Sequence, residues 1–238
     1  MRKRILILYF ILGWLTIASL GRTEILPTEG LSDYQVLQRS NENTATLSFG
    51  GTTENKNPGK IEIRISQEWM GDVVQDWTKA GTCNQGLFEA TLQSIPVGGP
   101  YRIDIRMATD TTQSEVETGT IHNILVGDLW ILAGQSNMQG YGVMKDVESP
   151  SFQVYMFGMD DRWQVAETPT HRLYEAKDSV YHNPIQDGHE QMRRQRHKGA
   201  GLELAFAKEM VRRTGIPIGL IPCAHGGTSM DQWSPELR

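Results

Sequence analysis

The chain has 238 residues, with 23 Lys and Arg against 28 Asp and Glu, a formal charge of -5 and 39% hydrophobic residues. This is globular composition and excludes a wholly disordered chain. The acidic balance offers no basic face for nucleic acid. Two cysteines, Cys83 and Cys223, exclude a disulfide framework and a multi-cysteine zinc module.

The N-terminus reads as an export signal. Met1-Arg2-Lys3-Arg4 is basic, Ile5 to Leu20 carries no charge, and Ala18, Ser19 and Gly21 are small. A membrane span needs about 20 apolar residues. This run is shorter and is interrupted by Gly13, Thr16 and Ser19. Residues 1–21 are therefore expected to be a signal peptide rather than an anchor. The mature protein is expected in the periplasm or outside the cell. There Cys83 and Cys223 are exposed to oxidation, but they fall in separate segments and are expected to stay unpaired.

From Ala45 to about Val126 the pattern has period two. Ile61-Glu62-Ile63-Arg64-Ile65 and Ile103-Asp104-Ile105-Arg106-Met107 alternate apolar and polar residues. Thr46-Leu47-Ser48-Phe49 and Leu87-Phe88-Glu89-Ala90-Thr91-Leu92 are looser versions. Gly50-Gly51, Asn57-Pro58-Gly59 and Gly98-Gly99-Pro100 read as the turns between them. Residues 22–125 are therefore expected to be an antiparallel β-sandwich module with one wet face. It shows no catalytic constellation.

After Gly127 the pattern changes. Leu129-Trp130-Ile131-Leu132-Ala133 is a nearly continuous apolar run, as for a strand buried on both faces. Gly134-Gln135-Ser136-Asn137-Met138 follows at once. Val154-Tyr155-Met156-Phe157 is a candidate strand. Leu202, Phe206 and Met210 mark the apolar face of a helix over about 201–214, with Ala205 beside them and Gly215 and Pro217 as the stop. Ile218 to Pro222 is a second apolar run, again followed by glycines, Gly226-Gly227. Strand, loop, helix, strand, loop is α/β logic with a parallel sheet. Such sheets place their sites at the C-terminal strand ends, where both glycine loops lie.

The chemistry centres on Ser136. A serine hydroxyl becomes a nucleophile when a base takes its proton. A tight turn after a strand lifts it clear of the sheet, and backbone N–H groups there face a developing oxyanion. Read alone, Ser136 equally fits a helix cap. Gly226-Gly227 lets backbone approach a ligand and offers the other N–H groups of an oxyanion hole. Thr228 and Gln232 are candidate polar contacts and Trp233 a candidate sugar-stacking platform; packing accounts for each equally well. No Gly-x-x-x-x-Gly-Lys-[Ser/Thr] or Gly-x-Gly-x-x-Gly accompanies the glycine pair, which argues against a nucleotide cradle. His122 is read as structural. His171, His182, His189 and His197 lie in polar sequence and are read as solvated, with spacings that match no metal-ligand motif. His225 lines the second loop. Arg193 to Lys198 is read as a solvated basic face.

Gly127-Asp128-Leu129-Trp130-Ile131-Leu132-Ala133-Gly134-Gln135-Ser136-Asn137-Met138 resembles the nucleophile block of the sialate O-acetylesterase and carbohydrate esterase family 6 group, within the SGNH hydrolase superfamily. Gly219 to Met230, through Trp233, resembles the group's second block. Gly199 to Leu202 with Phe206 to Glu209 is similar too, and Trp163 to Ala166 with Pro169 and His171 more loosely. Tyr34-Gln35-Val36-Leu37-Gln38-Arg39 resembles the start of the β-rich module that precedes such domains.

The resemblance implies a flavodoxin-like SGNH hydrolase domain of the α/β class over 126–238. It implies a carboxylic-ester hydrolase that removes acetyl groups from sugars such as sialic acid or xylan. Ser136 would be the nucleophile, its N–H and one from Gly226 or Gly227 the oxyanion hole, and Gln135, Asn137, Thr228 and Trp233 substrate contacts. No metal or cofactor is implied. The group's Gln-Gly-Glu and Asp-x-x-His blocks are absent, so the domain is expected to be incomplete, a fragment lacking its C-terminal half. A non-catalytic carbohydrate-binding protein derived from such an esterase is the alternative.

Overall fold

A computed structural model describes residues 24–108, 117–177 and 198–237. The signal expected over 1–21 lies outside them, as do His182, His189, His197 and 193–197 of the basic run. Among the described residues no helix is long and apolar enough to cross a membrane.

The molecule is mostly strand, with few helices. The antiparallel part comprises β1 (Leu26–Glu29), β3 (Thr44–Thr52), β4 (Gly59–Gln67), β5 (Val73–Asn84), β6 (Leu87–Pro96) and β7 (Gly98–Ala108). The predicted alternation is what builds its core. Ile61, Ile63 and Ile65 of β4 meet Ile103, Ile105 and Met107 of β7. Leu47 and Phe49 of β3 and Phe88, Ala90 and Leu92 of β6 complete the same cluster. Burying each isoleucine contributes roughly 1.5–3 kcal/mol relative to exposure. The strands run as one hydrogen-bonded path, β1-β3-β6-β5-β4-β7, rather than as two separately paired sheets.

Two expected turns lie inside strands instead. Gly50-Gly51 is in β3, paired with Glu89 and Phe88. A Cβ on Gly51 would sit 2.6 Å from the Phe88 ring and 2.2 Å from the Leu26 carbonyl oxygen. These glycines admit neighbours rather than turn the chain. Gly98-Gly99-Pro100 likewise opens β7.

The second half hangs on β8 (Glu117–Leu132), a strand of 16 residues. Its first part pairs antiparallel with β7 and parallel with β2 (Val36–Gln38). Its last part pairs parallel with β13 (Ile218–Pro222), in register from Ile218↔Asp128 to Pro222↔Leu132. The expected boundary at residue 126 therefore falls within a continuous strand. β13 pairs parallel with β10 (Val154–Phe157), the strand expected there, and β10 pairs antiparallel with β11 (Trp163–Val165). Beside this sheet β9 (Gly142–Val143) pairs antiparallel with β12 (Lys198–Ala200), and the α-helices among the described residues are α1 (Ser136–Gln139) and α2 (Glu203–Thr214), which Gly215 ends in the left-handed conformation.

Two expectations about burial change. The residues of α2 that pack on the sheet are Leu204 and Ala207, with Met210 and Val211. Leu202 is 51% exposed. Leu204, Ala207 and Val211 follow the helical spacing one step round from the stripe read in the sequence. Phe206 turns outward to meet Trp130 edge-on, with ring centroids 5.0 Å apart. The run after Gly127 is also not buried on both faces, because Ile131 is 68% exposed. Past Gly127, β8 is paired on its β13 side among the described residues.

The block from Tyr34 to Arg39 ties the halves together. Arg39 donates from Nε and Nη2 to the two carboxylate oxygens of Asp128, at 2.9 and 3.1 Å. The Leu129 N–H donates to Gln38 Oε1 at 2.8 Å. Tyr34 meets Tyr155 edge-on at 5.4 Å.

A Cβ on Gly127 would lie 2.0 Å from the Pro217 carbonyl oxygen, where β13 joins β8. Backbone cannot yield there as a flexible side chain would. Gly127→Ala is expected to destabilise the fold by about 1–3 kcal/mol, the usual range for overpacking. Urea unfolding would read this as a lower midpoint at unchanged slope; an unchanged midpoint refutes it.

Candidate active site

Parallel strands deliver both glycine loops to one end of the sheet. The ladder continues past the strands. Cys223 N–H donates to the Leu132 carbonyl at 3.1 Å, and His225 N–H to the Gly134 carbonyl at 3.0 Å. The two loops are thus joined by backbone bonds, independent of side-chain identity.

Ser136 opens α1, one residue after Gln135. It is half-buried, whereas Gln135 and Asn137 are exposed. The Gln135 carbonyl accepts from Met138 and Gln139 N–H at 3.0 and 2.9 Å. Among the described residues the Ser136 N–H has no acceptor and the Ser136 Oγ no hydrogen-bond partner. The first turn of a helix leaves such N–H groups for a ligand or water.

Gly226 brings the second loop against the first. A Cβ there would lie 3.7 Å from Ser136 Cα. Its N–H donates to Gln139 Oε1 at 2.5 Å. That donor is committed, so of the two expected glycine donors Gly227 is the one whose N–H lacks an acceptor among the described residues. Gly227 is exposed and in the left-handed region, with φ 81°.

Thr228 and Trp233 are linked to each other. Thr228 Oγ1 donates to the His225 carbonyl at 2.7 Å and accepts from Trp233 Nε1 at 2.9 Å. The hydroxyl is therefore engaged within the loop, while the Trp233 ring stays partly open to solvent. Gln232 Oε1 accepts from Ser229 N–H at 2.8 Å. These bonds turn the stretch after Gly227 back on itself.

The sequence reading missed Gln139 and misplaced His171. A glutamine one helical turn after the serine carries no distinctive signal until its partner loop is seen. His171 is buried rather than solvated, its side chain 0% exposed. Its Nε2 accepts from Ala224 N–H at 3.1 Å. Its Nδ1 lies 3.1 Å from Thr170 Oγ1 and 3.4 Å from Glu203 Oε1. Polar neighbours in sequence concealed it, because burial here comes from the distant α2 and β13. His122 stands within β8 and pairs with Glu68 Oε1 at 2.8 Å.

Among the described residues no three His, Cys, Asp or Glu side chains are grouped to hold a metal ion. Cys83 is buried and Cys223 half-buried, and neither is in a disulfide. Burial pushes both thiol pKa values up; at Cys83 the Glu117 carboxylate adds to this and a bond from the Gly86 backbone opposes it. A raised pKa means less thiolate at pH 8, and thiolate is the reactive form. Alkylation of the folded chain is expected to be far slower than that of free cysteine, with two equivalents reacting once the chain is unfolded. Fast reaction of either thiol in the folded state refutes this.

Residues 126–238 match the family described as carbohydrate esterase, sialic acid-specific acetylesterase. Sialate O-acetylesterase of Pongo abelii is 27% identical over 150 residues, covering 60% of this chain and 27% of that protein. A probable carbohydrate esterase of Arabidopsis thaliana is 30% identical over 123 residues, covering 44% of this chain and 40% of that protein. The chain thus spans less than half the length of these relatives. Among solved structures, a carbohydrate acetylesterase from Xanthomonas citri aligns over 87% of this chain and 42% of that one, at 18% identity and a TM-score of 0.48.

Proposed function

We propose, from the acetylesterase family matched over 126–238, that this chain serves a secreted serine O-acetylesterase acting on acetylated carbohydrate. The observation that carries the reading is the joining of the two loops. Ser136 and Gly226 are close enough that a Cβ on Gly226 would lie 3.7 Å from Ser136 Cα, at the C-terminal ends of adjacent parallel strands. The order of basic, apolar and small residues at the N-terminus supports export, and the parallel strands with α2 support the flavodoxin-like SGNH reading.

In this mechanism Ser136 Oγ forms a bond to the acetyl carbonyl carbon while its proton passes to a general base. Negative charge gathers on the carbonyl oxygen. The N–H groups of Ser136 and Gly227 are the donors that receive it, because the Gly226 N–H is held by Gln139. Preorganised donors of this kind lower the barrier because they need not reorient as the charge develops. The carbon–oxygen bond to the sugar then breaks, and the sugar oxygen takes from the base the proton that Ser136 gave it. Water attacks the acetyl-enzyme, releasing acetate and restoring Ser136. Gln135, Asn137 and the Trp233 ring would meet the sugar in this reading; the Thr228 hydroxyl shapes the loop that carries Trp233.

The test compares the chain with its Ser136→Ala variant, matched for fold by circular dichroism. Substrates are 4-nitrophenyl acetate, acetylated xylan and O-acetylated sialic acid. The variant is expected to lose at least about a thousandfold in kcat, as loss of a serine nucleophile does elsewhere. Equal acetate release by both chains sinks the serine mechanism. Sugar binding with no release by either favours the carbohydrate-binding alternative.

A further inference from the structure

The geometry points to His171 as a positioning residue for the Ala224–Gly227 loop, acting through the Ala224 backbone and braced by Glu203 and Thr170; this rests on the esterase reading above. Ala224 immediately precedes the loop that carries His225, Gly226 and Gly227. Its N–H is buried and donates to His171 Nε2 at 3.1 Å. Neighbouring backbone bonds on either side, from Cys223 and His225, go to β8 and the Ser136 loop. Ala224 is where the ladder alternates away from β8, so its N–H faces the opposite side and needs another acceptor. His171 supplies it.

The acceptor role fixes the imidazole. With Nε2 accepting, the proton of the neutral ring sits on Nδ1. That nitrogen faces Thr170 Oγ1 and Glu203 Oε1. Glu203 stands in the first turn of α2 and is buried, its side chain 3% exposed. Its Oε1 has no hydrogen-bond partner among the described residues. At 3.4 Å from Nδ1 it acts as a charge that favours the proton there. Three separate elements thus converge on one backbone amide: the segment after β11, the start of α2 and the end of β13. None of these side chains belongs to the set that meets the acetyl group. Their effect on catalysis passes through where the Gly227 N–H is held, and a displacement of about 1 Å at such a donor costs up to about a hundredfold in rate.

The test uses two polar variants that differ in reach. Glutamine at this site carries an oxygen near the position of Nε2, whereas asparagine reaches only the Nδ1 side. In His171→Asn the Ala224 amide is expected to exchange with solvent deuterium about tenfold faster or more. Core strands β4 and β7 should exchange as before. In His171→Gln the Ala224 rate should stay within about threefold of the parent. For acetate release, His171→Asn should lower kcat about tenfold or more with KM nearly unchanged, and His171→Gln should recover most of it. Equal exchange at Ala224 in parent and His171→Asn overturns the proposal, as does equal loss in both variants. The exchange rates decide the role of His171 in the loop whether or not the parent chain releases acetate, so a failure of the esterase reading and a failure of this proposal stay distinguishable.

Discussion

The backbone ladder between β8 and β13 is the constraint on which the rest of the site depends. Its in-register pairing ends at Pro222↔Leu132, yet its hydrogen bonds continue through Cys223 and His225 into the loop before Ser136. A loop held by backbone bonds keeps its place whatever side chains it carries. That frees Gln135 and Asn137 for other work, and it sets the spacing between the serine and the glycine pair. Gln139 then adds a side-chain bond that crosses between the loops.

The ladder is itself positioned by the antiparallel half. β8 belongs to both parts, so the hydrogen-bond register with β7 and β2 is transmitted along one strand to the residues that face β13. A strand is stiff along its length, and a one-residue slip would reverse every side chain on it. Arg39 on Asp128 pins the point of change with a bidentate ion pair, a geometry more specific than a single charge contact. In energy such a partly exposed pair contributes little. Its consequence is registration: Asp128 is the first residue of β8 opposite β13. The β-rich half thereby has a mechanical role in the site without lending a catalytic group to it.

Much of this was legible in the residues, and the failures have physical causes. The alternating isoleucines of β4 and β7 announce their strands because one face is buried and the other wet. Ser136 and Gly226-Gly227 drew attention because each follows an apolar run directly, although a helix cap or a tight turn fitted them as well from local sequence alone. Gly50-Gly51 was misread as a turn because glycine's freedom and its lack of volume look alike in sequence; only the Phe88 ring over Gly51 distinguishes them. The stripe on α2 was read one step off because Phe206, the largest apolar residue there, packs against Trp130 at the margin rather than on the sheet. His171 could not be found at all from local sequence, since its burial and all but one of its contacts come from residues far along the chain.

The cluster around His171 shows why a polar group is kept in such a place. Burying a carboxylate and an imidazole costs more than filling the same volume with apolar side chains, unless their bonds are well made. Here Glu203 Oε1 goes without a hydrogen bond among the described residues, so the arrangement is not the most stable one available. An apolar replacement, however, would leave the Ala224 N–H buried without an acceptor, at a cost of about 1–3 kcal/mol, and would leave that end of the loop free to shift. The need to satisfy one backbone donor, at the point where the ladder turns its face away from β8, is enough to explain a histidine here. A histidine in that position in turn needs its proton on Nδ1, and a carboxylate within 3.4 Å favours it there. The polar cluster is in this sense a consequence of the same backbone ladder that brings Ser136 and Gly226 together.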